Sequence, residues 1–283
     1  MKQQLLSAEP RPFVKWAGGK RQLIPIIDRH IPADFGAYFE PFLGGGAVLF
    51  HLLGKNPNLK CNVSDLNPDL ILAYSVIRDR VKELVASLET HAKYYSKSPD
   101  SYYYSVREKE PANHIEKVSR LLFLNRTCFN GLYRVNSRGK FNVPLGRYSN
   151  PNIVNEENLL SVSHILQSKK IQINCQDFTS IVSHAKKGDF VYFDPPYQPV
   201  SKTANFTSYT DRNFSYEDLE MLVGVSEKLA QKGCKVLHSN SKSKEVMDLF
   251  SSKWEIIEIP VNRAINSDSA KRTGHTELLI KNY

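Results

Sequence analysis

The sequence predicts an α/β fold, one sheet domain carrying a mainly helical insertion. Three observations predict it. Within residues 1–67 an apolar run, a glycine turn, a helix pattern and a second apolar run follow in the order of a strand–turn–helix–strand unit. From 68 to 170 the chain changes to longer stretches with apolar residues at i, i+3, i+4 spacing, the helical period. From 171 to 283 short apolar runs between turn residues resume. The expected sheet domain is therefore 1–67 with 171–283, and the insertion is 68–170.

Each element has a local reason. Residues 38–43 form a short apolar run that ends in Gly44, Gly45 and Gly46. Residues 47–53 read as a helix stopped by Gly54, and 60–64 as a strand closing at Asp65. In the insertion, 69–89 and 115–125 are expected helices. Tyr102, Tyr103 and Tyr104 lie between them, expected as helix packing. Residues 134–148, RVNSRGKFNVPLGRY, alternate about a basic tip and predict a β-hairpin. Strands follow at 170–174, 190–193 and 235–239. Ser215 and Asp218 form a capping box for a helix to about 231, which Gly233 stops. Residues 255–260 and 277–280 are expected as a terminal antiparallel pair. His238 is expected to be a satisfied strand-end histidine. Residues 202–213, rich in Ser, Thr and Asn, are expected as a surface loop placed to act as a lid.

Of the 283 residues, 41% are hydrophobic, enough for a core and against wholesale disorder. Lys and Arg exceed Asp and Glu by 38 − 29 = 9, which favours a polyanionic partner. Cys61, Cys128, Cys175 and Cys234 are widely spaced with no CxxC pair. They read as buried free thiols of a reducing cytosol, with Cys61, Cys175 and Cys234 in apolar or strand-like runs, and no metal site is expected. The start has no apolar signal core, and no run approaches ~18 apolar residues. A cytoplasmic setting and no membrane partner are expected.

Three short stretches carry candidate chemistry. In FEPFLGGG, residues 39–46, glycines after a strand let the backbone turn sharply and approach a ligand. Asp65, at the end of the next strand, can accept hydrogen bonds from ribose hydroxyls, or be a plain strand-end residue. FVKWAGGK, residues 13–20, is not a phosphate loop: its glycines are adjacent and Arg21 follows Lys20. On this segment alone an exposed basic turn is expected. Asp194-Pro195-Pro196-Tyr197 is the most specific. An exocyclic nucleobase amine is a poor nucleophile because its lone pair is delocalised into the ring. Asp194 and the Pro195 carbonyl can hold its two N–H groups and free that lone pair. Two prolines make the acceptors rigid, and Tyr197 offers a flat face for the base. The opposing interpretation is a strand ending in a Pro-Pro turn with Tyr197 in the core.

DPPY, FEPFLGGG, KWAGGK and FNGLYRVNSRGKFNVPLGRY, in this order of parts, resemble the Dam/DpnII-type DNA adenine-N6 methyltransferases over about residues 13–283. The resemblance implies a Rossmann-like methyltransferase sheet domain that binds S-adenosylmethionine, with 68–170 as the target-recognition insertion. It implies Trp16, Lys20, Phe42, Gly44, Asp65, Asp177, Phe178 and Asp194 at the cofactor. It implies catalysis by Asp194, Pro195, Pro196 and Tyr197 on an adenine flipped from double-stranded DNA at GATC. Phe129, Asn130, Leu132, Arg134, Pro144 and Tyr148 would enter the DNA, with Phe129 and Leu132 as wedges. Arg134, Arg138, Lys140 and Arg147 also form a basic ribbon suited to phosphates or the major groove. Leu145 stands where relatives carry an aromatic residue, which bears on one local contact. A monomer is implied, with a cognate restriction endonuclease sharing the site without direct contact.

Two other functions stay open at this level. One is the same amine chemistry on RNA or a protein glutamine. DPPY in place of NPPY opposes the glutamine, and the recognition ribbon opposes RNA. The other is a DNA-binding protein with a dead active site, opposed by the intact DPPY, Asp65 and glycine turn.

Overall fold

The structure is a computed structural model and describes residues 9–16, 18–136, 138–197, 214–250, 253–261 and 275–283. The expected loop at 202–213 lies outside the described residues. Among them the strands form one mixed sheet in the order β3-β2-β1-β4-β5-β7-β6. β1 (Tyr38–Glu40), β2 (Cys61–Asp65), β3 (Ile171–Cys175), β4 (Phe190–Phe193) and β5 (Lys235–Ser241) run parallel. β7 (His275–Lys281) is antiparallel to both β5 and β6 (Glu255–Val261), the terminal pair expected from the sequence. Every residue of β1 and β4 is buried, which is why both read as unbroken runs rather than alternating ones.

The helices are α1 (Ile24–Ile27), α2 (Ala47–Lys55), α3 (Pro68–Tyr95), α4 (Pro99–Glu108), α5 (His114–Thr127), α6 (Glu156–Leu166), α7 (Ile181–His184), α8 (Tyr216–Gln231) and α9 (Lys244–Phe250). The Ser215/Asp218 capping box opens α8, and Gly233 follows its end at φ +81°. Gly54 does not stop α2 but lies inside it, and the chain leaves at Asn56. The tyrosine-rich stretch is α4, with Tyr103 buried and its Oη donating to Val143 O at 2.8 Å.

The connection from β2 to β3 contains α3 to α6. Asn67 caps α3 by accepting the N–H groups of Asp69 and Leu70. The helix breaks at Arg80 (φ −137°, ψ 35°). Leu70 and Tyr74 before the break and Leu84 and Leu88 after it join one apolar core with Leu49, Val63 and Phe190. The expected hairpin is present in reduced form, as isolated bridges Val135↔Phe141 and Cys128↔Leu145.

Two further expectations need correction. Cys175 is exposed, because it ends the edge strand β3, whereas Cys61, Cys128 and Cys234 are buried; all four are free. His238 is fully buried but not satisfied. Its ring stacks on Phe193 at 4.8 Å and meets Phe250 and Trp254, and among the described residues neither ring nitrogen has a hydrogen-bond partner. Burial pushes its pKa down to about 3.

The topology positions the site. The chain runs from β1 outward through β2 to β3, then returns to lay β4 on the other side of β1. Open α/β sheets bind ligands beyond the carboxyl ends of their strands at such a reversal. FEPFLGGG leaves β1 and DPPY leaves β4, so both turns stand there.

Candidate active site

The glycine turn is shaped by close approach. Gly44 and Gly46 take left-handed backbone, φ +50° and +70°. A Cβ on Gly44 would stand 3.1 Å from Cδ1 of Trp16, and one on Gly46 would stand 2.6 Å from the Tyr74 hydroxyl. Asp65 pins the turn: its Oδ2 accepts the Gly44 N–H and its Oδ1 the Asn67 N–H, each at 2.9 Å. Burial raises the Asp65 pKa while these backbone N–H groups oppose the rise. Beneath the turn, Glu40 is 3% exposed and its Oε2 has no hydrogen-bond partner among the described residues. Burial pushes Glu40 well above the usual carboxylate range, and the charges of Asp194 and Asp65 add to this.

DPPY meets the N-terminal turn. Lys20 is not on an exposed turn, as its local sequence suggested: it is 4% exposed. Its Nζ donates to Gly18 O at 2.7 Å and lies 2.7 Å from Asp194 Oδ1. The two form a close ion pair, and a carboxylate oxygen that meets one donor keeps acceptor capacity. The Asp194 side chain is 18% exposed. Burial raises its pKa to about 6, Lys20 restrains the rise and Glu277 adds to it. Pro195 is buried and Pro196 exposed. The Tyr197 ring carries Lys20 Nζ 4.8 Å from its centroid, and its hydroxyl donates to Glu277 Oε2 at 3.1 Å.

Around this centre, Trp16 is half-buried and its ring packs on Tyr133 at 5.3 Å. Phe42 stacks on Phe178 at 5.3 Å, and Phe178 is almost fully buried. Asp177 accepts the Thr179 N–H at 2.9 Å and caps the turn after β3. Asp177 and Asp65 thus stand at the carboxyl ends of neighbouring strands.

The expected DNA-facing residues fall into two groups. In the first, buried Asn125 clamps the start of the chain to the FNG turn. Its Oδ1 accepts Lys15 N–H at 2.8 Å, and its Nδ2 donates to Lys15 O at 2.8 Å and Gly131 O at 3.0 Å. Asn130 and Gly131 have φ +56° and +66°, and a Cβ on Gly131 would stand 2.3 Å from Cδ of Lys15. Lys15 Nζ donates to the Tyr148 hydroxyl at 3.3 Å and lies 4.5 Å over its ring. Phe129 is 47% exposed, whereas Leu132 packs against the core. The second group is the hairpin. Arg134 Nε donates to Asn142 Oδ1 at 2.7 Å, so part of this guanidinium braces the hairpin. Arg138, Lys140, Pro144 and Arg147 are exposed, with Lys140 Nζ 3.5 Å from Glu110.

The residues matched by the family of D12 class N6 adenine-specific DNA methyltransferases are 16–265, which takes in every turn described above. The chain belongs to that family. It is 40% identical to the Type II methyltransferase M.MjaIII of Methanocaldococcus jannaschii, over 97% of this chain and 100% of that protein. It is 42% identical to the Type II methyltransferase M1.LlaDCHI of Lactococcus lactis subsp. cremoris, over 96% and 95%. It is 33% identical to the DNA adenine methylase of Serratia marcescens, over 95% and 97%. The protein is an adenine-specific DNA methyltransferase, and S-adenosylmethionine is its methyl donor. The crevice fits that donor. Gly44 leaves no room for a Cβ beside the Trp16 indole, and the Asp65 and Asp194 carboxylates are acceptors of the kind that hydroxyls and a cationic centre require.

Three contributors carried no signal of their own in the sequence. Glu277 reads as the polar face of a strand, Asn125 as one polar residue in an apolar helix, and Lys15 as surface charge. Among the described residues no cluster of three or more His, Cys, Asp or Glu side chains is placed to hold a metal ion. None of the described helices is long and apolar enough to cross a membrane.

Proposed function

We propose that this methyltransferase acts on GATC in duplex DNA and flips the target adenine into the crevice beside Asp194. The observation that carries the proposal is the Asp194 carboxylate, half-buried, placed directly after β4 and paired with Lys20 through Oδ1. Asp194 and the Pro195 carbonyl accept the two N–H groups of adenine N6, which uncovers its lone pair. Asp194, ionised above pH about 6, can take the proton that the amine sheds. Tyr197 stacks on the base with the ring face turned away from Lys20. N6 cannot be reached at the required angle inside a duplex, hence the flipping.

S-adenosylmethionine, when bound, supplies an electrophilic methyl on a sulfonium. Trp16, Phe42, Gly44, Asp65, Asp177, Phe178 and Asp194 would hold it. Asp65, whose oxygens accept backbone N–H groups, has lone pairs left for ribose hydroxyls. Lys20 is better placed to set the charge of Asp194 than to touch the donor.

The segment 68–170 reads the DNA. Phe129, Asn130, Lys15 and Tyr148 form the cluster nearest the unstacked pairs, with Leu132 supporting it from the core. Arg134 and Pro144 shape the ribbon, and Arg138, Lys140 and Arg147 contact phosphates or base edges. The GATC assignment rests on the likeness of residues 129–148 to relatives with that target. The enzyme acts as a cytoplasmic monomer, and a restriction endonuclease would share its site without touching it. Incubation with labelled S-adenosylmethionine and duplexes containing GATC, GATATC or neither tests the target, with protection from a GATC-cutting endonuclease as second readout. Label independent of GATC refutes the sequence assignment. A 2-aminopurine at the target position that stays quenched on binding refutes flipping.

A further inference from the structure

We propose that Glu277 is a positioning residue for methyl transfer, holding Tyr197 by its phenol and tuning the charge of Asp194. The proposal rests on the roles assigned above to Asp194 and Tyr197. Glu277 lies on β7, opposite Ser241 at the end of β5, so the sheet carries it to the rim where DPPY emerges. It is half-buried, and its Oε2 accepts the Tyr197 hydroxyl at 3.1 Å.

Tyr197 needs such an anchor. Its backbone follows two prolines, so the main chain is stiff. The ring can still turn about its own side-chain bonds. Lys20 Nζ covers one face, 4.8 Å from the centroid, and Glu277 fixes the tip. With one face and the tip held, the other face is presented in one orientation. Burial and the charges of Asp194 and Glu277 push the Tyr197 phenol well above its ordinary range, so it stays a donor.

The second effect is electrostatic. Lys20, the Glu277 carboxylate on β7, buried Glu40 on β1, and the Tyr192 and Tyr197 phenols surround Asp194. Lys20 favours the ionised form and Glu277 opposes it. The same carboxylate that orders the ring therefore keeps Asp194 a more avid proton acceptor than Lys20 alone would leave it.

Single-turnover transfer to a GATC duplex, measured against pH, tests both effects. Tyr197→Phe and Glu277→Ala should each lower the rate about 10-fold, and the double variant should be no slower than either single one. Glu277→Gln keeps an acceptor and the shape, so it should retain more rate than Glu277→Ala. It should also move the acid limb to lower pH. Losses that multiply in the double variant, or an acid limb that Glu277→Gln leaves in place, would overturn the proposal. Asp194→Ala is run beside them. If Asp194→Ala retains transfer, the assignment of DPPY itself fails. If it is inactive while the Glu277 variants match wild type, only the positioning role fails.

Discussion

Replacing Lys20 by methionine keeps the length of the side chain and removes its charge. The ammonium stands 2.7 Å from Asp194 Oδ1, with Lys20 4% and Asp194 18% exposed, so solvent screens the pair little. A neighbouring cation lowers a carboxylate pKa by about 1–3 units. With the cation present Asp194 titrates at about 6. Without it the titration should move to about 7–9. At pH 7 the ionised fraction then falls from about nine-tenths to between about one-half and one-hundredth. The sign follows from the role: the carboxylate is the acceptor, so transfer rises as pH climbs through the pKa and falls below it. Wild-type kcat/KM should drop about tenfold per pH unit below about 6. Lys20→Met should lose about 2- to 100-fold at pH 7 and recover as the pH is raised. The assay is transfer of labelled methyl to duplex DNA, with DNA and S-adenosylmethionine affinities measured alongside. A loss of equal size at every pH, with the acid limb unmoved, would refute the claim that Lys20 sets the charge of Asp194.

Other variants probe the scaffold and the DNA face. His238, held neutral with its pKa pushed from 6.5 to about 3, binds a proton in the unfolded chain that it refuses in the fold. Its contribution to stability is complete above pH 6.5 and is lost as pH falls towards 3. Between pH 7 and 5 this one group removes about 2 kcal/mol. In denaturant titrations His238→Phe should narrow the pH 7 to pH 5 stability difference by that amount; an unchanged difference counts against it. Asn125→Ala removes the partner of the Lys15 N–H and C=O and of the buried Gly131 C=O. It should cost about 2–4 kcal/mol in chemical denaturation and weaken DNA binding; a stable variant with intact binding would show the clamp to be dispensable. Arg138→Ala and Lys140→Ala should each reduce the salt dependence of DNA binding by about one counterion if they touch phosphates. Unchanged slopes in a salt titration would assign these side chains elsewhere.

The order of elements was legible because it is written in local signals. Phe190 to Phe193 is an unbroken apolar run since β4 is covered on both faces, and Ser215 with Asp218 announces α8 three residues at a time. Asp65 and DPPY were legible because each ends such a run. What stayed hidden depends on distant contacts. Lys20 looks like surface charge until β4 brings Asp194 within 2.7 Å of it. Glu277 looks like the solvent face of a strand until Tyr197 reaches it. Cys175 falls in an apolar run, but β3 is a sheet edge, and edges do not bury both faces. The His238 ring nitrogens find no hydrogen-bond partner among the described residues, a condition that only the surrounding rings reveal.

The central claim is that the Asp194 carboxylate holds the adenine amine for transfer. The decisive measurement is single-turnover methyl transfer from labelled S-adenosylmethionine to a GATC duplex by Asp194→Ala, with binding of the duplex followed in the same samples. Transfer should fall by about 100-fold or more while the duplex is still bound. Transfer at the wild-type rate, with the duplex bound, would contradict the claim.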